Sequence, residues 1–141
     1  MKLKTTIMLS LSVLTTSTLF ASNDGAAIFD TKCASCHIKT RPTAQMRNTL
    51  IAPPIMGVMR HVKDTYGNDK EKAVAFIKDY VMNPSQEKAV CIPQSIQRFG
   101  LMPSQKGLLT PKELDKVADY IYDNFPFQGM GRGMMNPMRN N

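Results

Sequence analysis

The chain has 141 residues, room for one ordinary domain, and carries 18 lysines and arginines against 11 acids for a net charge of +7. No basic run is interleaved with stacking aromatics, so the positive excess suits acidic partners or anionic membrane faces and argues against nucleic acid. Three cysteines, an odd number, exclude a fully paired disulfide framework.

Residues 1–21, MKLKTTIMLSLSVLTTSTLFA, put Lys2 and Lys4 ahead of a short apolar stretch broken by Ser and Thr. That order reads as a Sec signal peptide cut after Ala21, with Leu19 a poor residue at the −3 position. An uncleaved membrane anchor is the weaker alternative, because the run falls short of the ~20 apolar residues of a spanning helix. Cleavage would remove Lys2 and Lys4, lower the net charge from +7 to +5, and leave the mature chain in the periplasm, an oxidising compartment.

Three main helices are expected, and no strand. The first is short: Asn23 or Asp24 caps GAAIFDTK, which runs straight into a cysteine cluster. The second, DKEKAVAFIKDYVM, has Ala73, Phe76, Ile77 and Tyr80 at helical spacing, Val74 and Val81 widening the stripe, and Asn83-Pro84 as its stop. In the third, Thr110 is the N-cap, Pro111 the first helical residue and Glu113 the partner in a capping box. Leu114, Val117, Ala118, Ile121, Tyr122 and Phe125 line one face of it, and Phe125-Pro126 closes it. Pro42, Pro53-Pro54, Pro93 and Pro103 mark loops between the helices, and residues 128–141 read as a flexible tail rich in Gly and Met. Three modest helices and long loops bury little apolar surface for a mature chain of about 120 residues, so a large flat apolar cofactor at the centre would serve.

Cys33-Ala34-Ser35-Cys36-His37 is C-x-x-C-H. Two thiols at this spacing can bond the two vinyl-derived carbons on one edge of a haem, and the adjacent histidine then swings its imidazole under the ring to the iron. A redox disulfide would want a βαβ setting, and a zinc site would have to conscript Cys91 or His61. For the sixth position the loop RFGLMPSQKG offers Met102, 65 residues after His37 and ahead of the last helix, stiffened by Pro103 and loosened by Gly100 and Gly107. A thioether opposite a histidine favours the ferrous state and raises the potential. His61, the other histidine, is read as a surface or loop residue, with bis-His ligation the alternative. Met56 and Met59 fit a loop packing on the haem face. Cys91 is read as a buried free thiol, with an intermolecular disulfide, hence a homodimer, as the next choice and thiolate ligation after it. Met130, Met134, Met135 and Met138 of the tail are read as part of a flexible segment rather than a Cu(I) site.

From residue 23 to about 125 the pattern Gly25, Phe29, Cys33-x-x-Cys36-His37, Met102-Pro103 and ELDKVADYI resembles the mono-haem class I c-type cytochromes. The resemblance implies an all-α cytochrome c domain, residues 22–127, wrapped around one covalently bound haem c, with His37 and Met102 as axial ligands. It implies that Gly25 and Phe29 cross the last helix near Tyr120, and that the carbonyl of Pro53 or Pro54 accepts a hydrogen bond from the other ring nitrogen of His37. It also implies an exposed haem edge ringed by Lys32, Lys39, Arg41, Arg98 and Lys106, where acidic redox partner proteins would dock; Arg98 could instead bind a haem propionate. The leading function is that of a periplasmic electron carrier and not an enzyme. The alternative is a haem c subunit, or small-molecule-handling member, of a periplasmic oxidoreductase with a labile sixth ligand; a gas or redox sensor ranks last, since the chain holds no output module.

Overall fold

The computed structural model describes residues 24–125; the expected signal peptide and the Gly/Met-rich tail lie outside the described residues. Among those described there are six helices and no strand: α1 (Gly25–Lys32), α2 (Ala44–Arg47), α3 (Ile55–Tyr66), α4 (Lys70–Met82), α5 (Pro93–Phe99) and α6 (Pro111–Asn124). None of these helices is long and apolar enough to cross a membrane.

The frame is the crossing of α1 over α6, with α4 laid on α6 and α3 on α4. Asp24 caps α1 by accepting from the Ala26 amide. Gly25 then meets α6 with no room for a side chain: a Cβ there would lie 2.4 Å from the Lys116 carbonyl oxygen and 2.5 Å from Tyr120 Cβ. One turn later the fully buried Phe29 packs on Phe125 and Tyr120, with ring centroids 5.6 and 6.0 Å away. Aromatic rings meeting at such tilted angles add to the burial energy. Lys39 covers this cluster from outside, its ammonium ion-paired with Asp30 and 5.4 Å from the centre of the Phe29 ring.

α6 starts as its capping box requires. The Glu113 amide donates to Thr110 Oγ1, and the Thr110 amide donates to Glu113 Oε2 at 2.8 Å. Leu114, Val117, Ala118, Ile121 and Phe125 are buried along one stripe, while Tyr122 is half-buried under Lys63, whose ammonium lies 4.5 Å from the ring centre. Asp115, Asp119 and Asp123 follow at four-residue spacing. Lys78 pairs with the first, and Lys70 of the facing α4 pairs with the other two. These groups are about half exposed, so each bond contributes little. On α4 itself only Ala73 and Ile77 are buried, whereas Phe76 and Tyr80 stack on each other at the margin and Phe76 also meets Tyr66 of α3.

Three helices lie where the sequence reading expects loops, and α3 is the consequential one. Ile55, Met56, Met59 and Val62 are buried at offsets of 0, 1, 4 and 7, so the two methionines fill a helix–helix core rather than a loop. Prolines hide this helix. Pro54 lacks an amide to donate and occupies the N-cap, where none is needed. Pro93 likewise sits in the first turn of α5.

Gly25→Ala is expected to lower the unfolding free energy by ~1–3 kcal/mol in a denaturant titration, since both clashing groups belong to a packed helix. The Thr110 amide, and after it the hydroxyl, hold the Glu113 carboxyl below the usual glutamate range. A carboxylate depressed in this way contributes stability above its unfolded value and loses it as pH falls through the folded one. Melting temperatures of Glu113→Gln should therefore fall less steeply than wild type as the pH is lowered through and below the ordinary glutamate range.

Candidate functional site

The Cys-x-x-Cys-His stretch is a tight turn continuing α1. Cys33 is the C-cap of that helix; its amide and that of Ala34 both donate to the Phe29 carbonyl, at 2.8 and 2.9 Å. The amides of Cys36 and His37 in turn donate to the Cys33 carbonyl at 3.1 and 2.9 Å. The buried Phe29 thus anchors the turn to the α1–α6 crossing. Cys33 is half-buried and Cys36 exposed, neither in a disulfide. Burial and, after it, the neighbouring Cys36 push the Cys33 thiol up to about 11.

His37 Nδ1 lies 2.8 Å from the Pro53 carbonyl oxygen. A carbonyl only accepts, so Nδ1 carries the proton and donates, and Nε2 keeps its lone pair for a metal. Burial lowers the His37 pKa and so favours this neutral form, against a smaller opposing effect of the hydrogen bond to Pro53. α3 is what presents Pro53. Its first residue, Ile55, is buried in the core, and the Ile55 amide donates to the Ile38 carbonyl at 3.1 Å, closing the base of the 38–54 segment beside His37.

Met102 is half-buried between α5 and α6, anchored separately from the Cys–His turn. Gly100 and Gly107, at φ of 74° and 79°, allow the chain to turn on either side of it. Ser104 Oγ donates to the Met82 carbonyl at 2.6 Å and the Gln105 amide to the Val81 carbonyl at 3.0 Å, so the loop satisfies carbonyls that the end of α4 leaves without partners.

The remaining candidates are scattered. His61 is half-buried on α3, where its carbonyl accepts from Thr65 Oγ1. Cys91, half-buried and unbridged, lines a cavity of about 290 Å³ with Gln86, Ala89, Pro93, Ile96 and Gln97. Among the described residues no three His, Cys, Asp or Glu side chains come together as a metal-holding group. Of the expected docking cations, Lys32 and Lys106 are exposed and Lys39 is paired with Asp30, while Arg98 Nη2 donates to the Arg47 carbonyl. That last partner was not legible in the sequence, because a main-chain carbonyl carries no sequence signal.

The exposed apolar residues fall in the two segments that a large flat apolar group held by this turn would need for cover. The large apolar side chains exposed among the described residues are Met46, Ile51, Ile92, Leu101 and Leu108. All five lie in the segments 38–54 and 83–109, the same two that carry Pro53 and Met102. Together with two thiols one turn apart and an imidazole whose Nε2 is free, this donor set is the one haem c requires.

The family model described as Cytochrome c matches residues 22–124. An uncharacterized protein of Aquifex aeolicus (strain VF5) is 32% identical over 112 residues, covering 72% of this chain and 73% of that one. Cytochrome c6 of Microcystis aeruginosa is 26% identical over 98 residues, 70% of this chain and 90% of its own. No solved structure matches the chain. With that match over most of its length, an all-helical fold and a Cys-x-x-Cys-His turn at the end of α1, the chain belongs to the cytochrome c family, whose members bind one covalently attached haem c.

Proposed function

We propose that the protein is a periplasmic electron carrier whose haem c is held by Cys33 and Cys36 through thioether bonds and ligated by His37 and Met102. The bound group supplies a one-electron Fe(III)/Fe(II) couple. The observation that carries the reading is the 2.8 Å contact between His37 Nδ1 and the Pro53 carbonyl, which holds the ring in the tautomer and orientation an axial ligand needs. The chain's own work is to keep that geometry unchanged in both oxidation states. Pro53 fixes the imidazole, the bonds of Ser104 and Gln105 to the end of α4 hold the Met102 loop, and the exposed apolar side chains of both segments would cover the haem when it is bound.

Export to the periplasm is supported by the signal-like residues 1–21. Docking of acidic redox partners is supported by the placing of charge. Residues 31–63 and 88–112 contain ten lysines and arginines and no acid, and they include both haem-flanking segments almost entirely. Lys32, Arg41 and Lys106 are the cations proposed to steer such a partner, an effect that salt weakens.

The test is the absorption spectrum of the oxidised, haem-loaded protein. Wild type should show the weak long-wavelength sulfur-to-iron charge-transfer band, His61→Ala should keep it, and Met102→Ala should lose it, bind cyanide readily and have a lower reduction potential. A wild type without the band that binds cyanide or CO freely would move the protein to the alternative, an oxidoreductase component with a labile sixth ligand. A wild type that lacks the band and binds neither cyanide nor CO would point instead to His61 or Cys91 as the sixth ligand.

A further inference from the structure

We propose that Arg98 is a positioning residue, whose guanidinium bridges the segment following His37 to the segment carrying Met102. The inference rests on Met102 being the sixth ligand. α5 ends at Phe99, with Gly100 at φ 74° as its stop, so Arg98 lies in the last turn of the helix, four residues before Met102. Its Nη2 donates to the carbonyl of Arg47, the last residue of α2, 51 positions earlier in the chain. The last carbonyls of a helix have no partner within it and take one from outside. The guanidinium carbon also sits 4.8 Å from the centre of the Phe99 ring, which limits where the side chain can swing.

The bridge differs from the other bonds around the site. The 38–54 segment closes on itself through Ile38–Ile55 and His37–Pro53, and the Met102 loop is tied to α4 by Ser104 and Gln105. Each of those bonds secures one segment to its own neighbours; the Arg98 bond runs from one segment to the other. The apolar side chains Met46 and Ile51 on one segment and Ile92, Leu101 and Leu108 on the other flank it in sequence. Without the bridge the segments separate more often, and Met102 leaves the iron more often with them. Arg98 is thereby tied to a main-chain carbonyl of its own molecule although it lies at the surface.

The test compares haem-loaded full-length wild type, Arg98→Gln and Arg98→Lys in two measurements. Hydrogen exchange is read at the amides of Asn48 and Thr49, both of which donate to the Met46 carbonyl at the end of α2. Cyanide binding to the ferric protein is read as a rate, since it requires Met102 to be displaced. Arg98→Gln is expected to speed both about tenfold, the effect of losing one charge-assisted hydrogen bond, with Arg98→Lys between it and wild type. Unchanged exchange at Asn48 and Thr49 overturns the bridge whatever the iron's ligands are. Unchanged exchange with a shifted pH dependence of the reduction potential also overturns it and assigns Arg98 to a carboxylate of the haem. Faster exchange with an unchanged cyanide rate overturns the positioning role. A wild type lacking the sulfur-to-iron band refutes the Met102 reading and the positioning role together, and the exchange data then still decide the bridge separately.

Discussion

At Gly25 the backbone of α6 occupies the space of a side chain, and the site is assembled outward from that contact. The close approach lets Phe29 sink beneath Tyr120 and Phe125, and Phe29 offers its carbonyl to the amides of Cys33 and Ala34. The cysteines and His37 are therefore carried on a turn whose foundation is a helix crossing, not a flexible loop. A close-packed interior transmits small displacements, so a shift of α1 against α6 would reach His37 within two turns of chain.

The second half of the site is built differently. α4 packs on α6, with Ala73 and Ile77 buried and Lys70 and Lys78 paired with aspartates of α6. Its free C-terminal carbonyls then receive Ser104 and Gln105, which locates the Met102 loop. Both candidate axial ligands thus trace back to α6 by separate routes, one through α1 and one through α4. Single-electron transfer is served by this arrangement, because a site whose ligands hang from one rigid frame has little to rearrange when the charge on the iron changes.

Much of this was legible in the chain. α1 and α6 announced themselves through Asp24, the Thr110–Glu113 box and the stripe from Leu114 to Phe125, and the Cys33-x-x-Cys36-His37 spacing named its cofactor by chemistry alone. The expected choice between Pro53 and Pro54 was decided only by the fold, for Pro54 is the N-cap of α3 and Pro53 the residue that precedes it. α3 was missed because two prolines in a row read as loop, and because Gly57 and charged residues interrupt the stripe of Ile55, Met56, Met59 and Val62. On α4 the periodic stripe included Phe76 and Tyr80, yet these rings stand at the margin, stacked on each other with Phe76 against Tyr66, since helical spacing marks an apolar face without saying which part of it meets a neighbour. The Arg98–Arg47 contact was invisible for a different reason, its acceptor being main chain.

The partner of His37 is main chain too, and this has a consequence for what the polypeptide tolerates. A carbonyl at residue 53 is present whatever side chain stands there, so exchanging that residue for another leaves the acceptor in being. What matters is the spacing of two points, Ile38 and Ile55, whose hydrogen bond shuts the segment like a clasp. Between them the chain runs outside the clasp, and loop-closure entropy changes only slowly with length, so residues inserted or removed there alter the cost of closure little. The stretch around α2 is therefore suited to length variation, and the Arg47 carbonyl, not the histidine's hydrogen bond, is the feature such a change would displace.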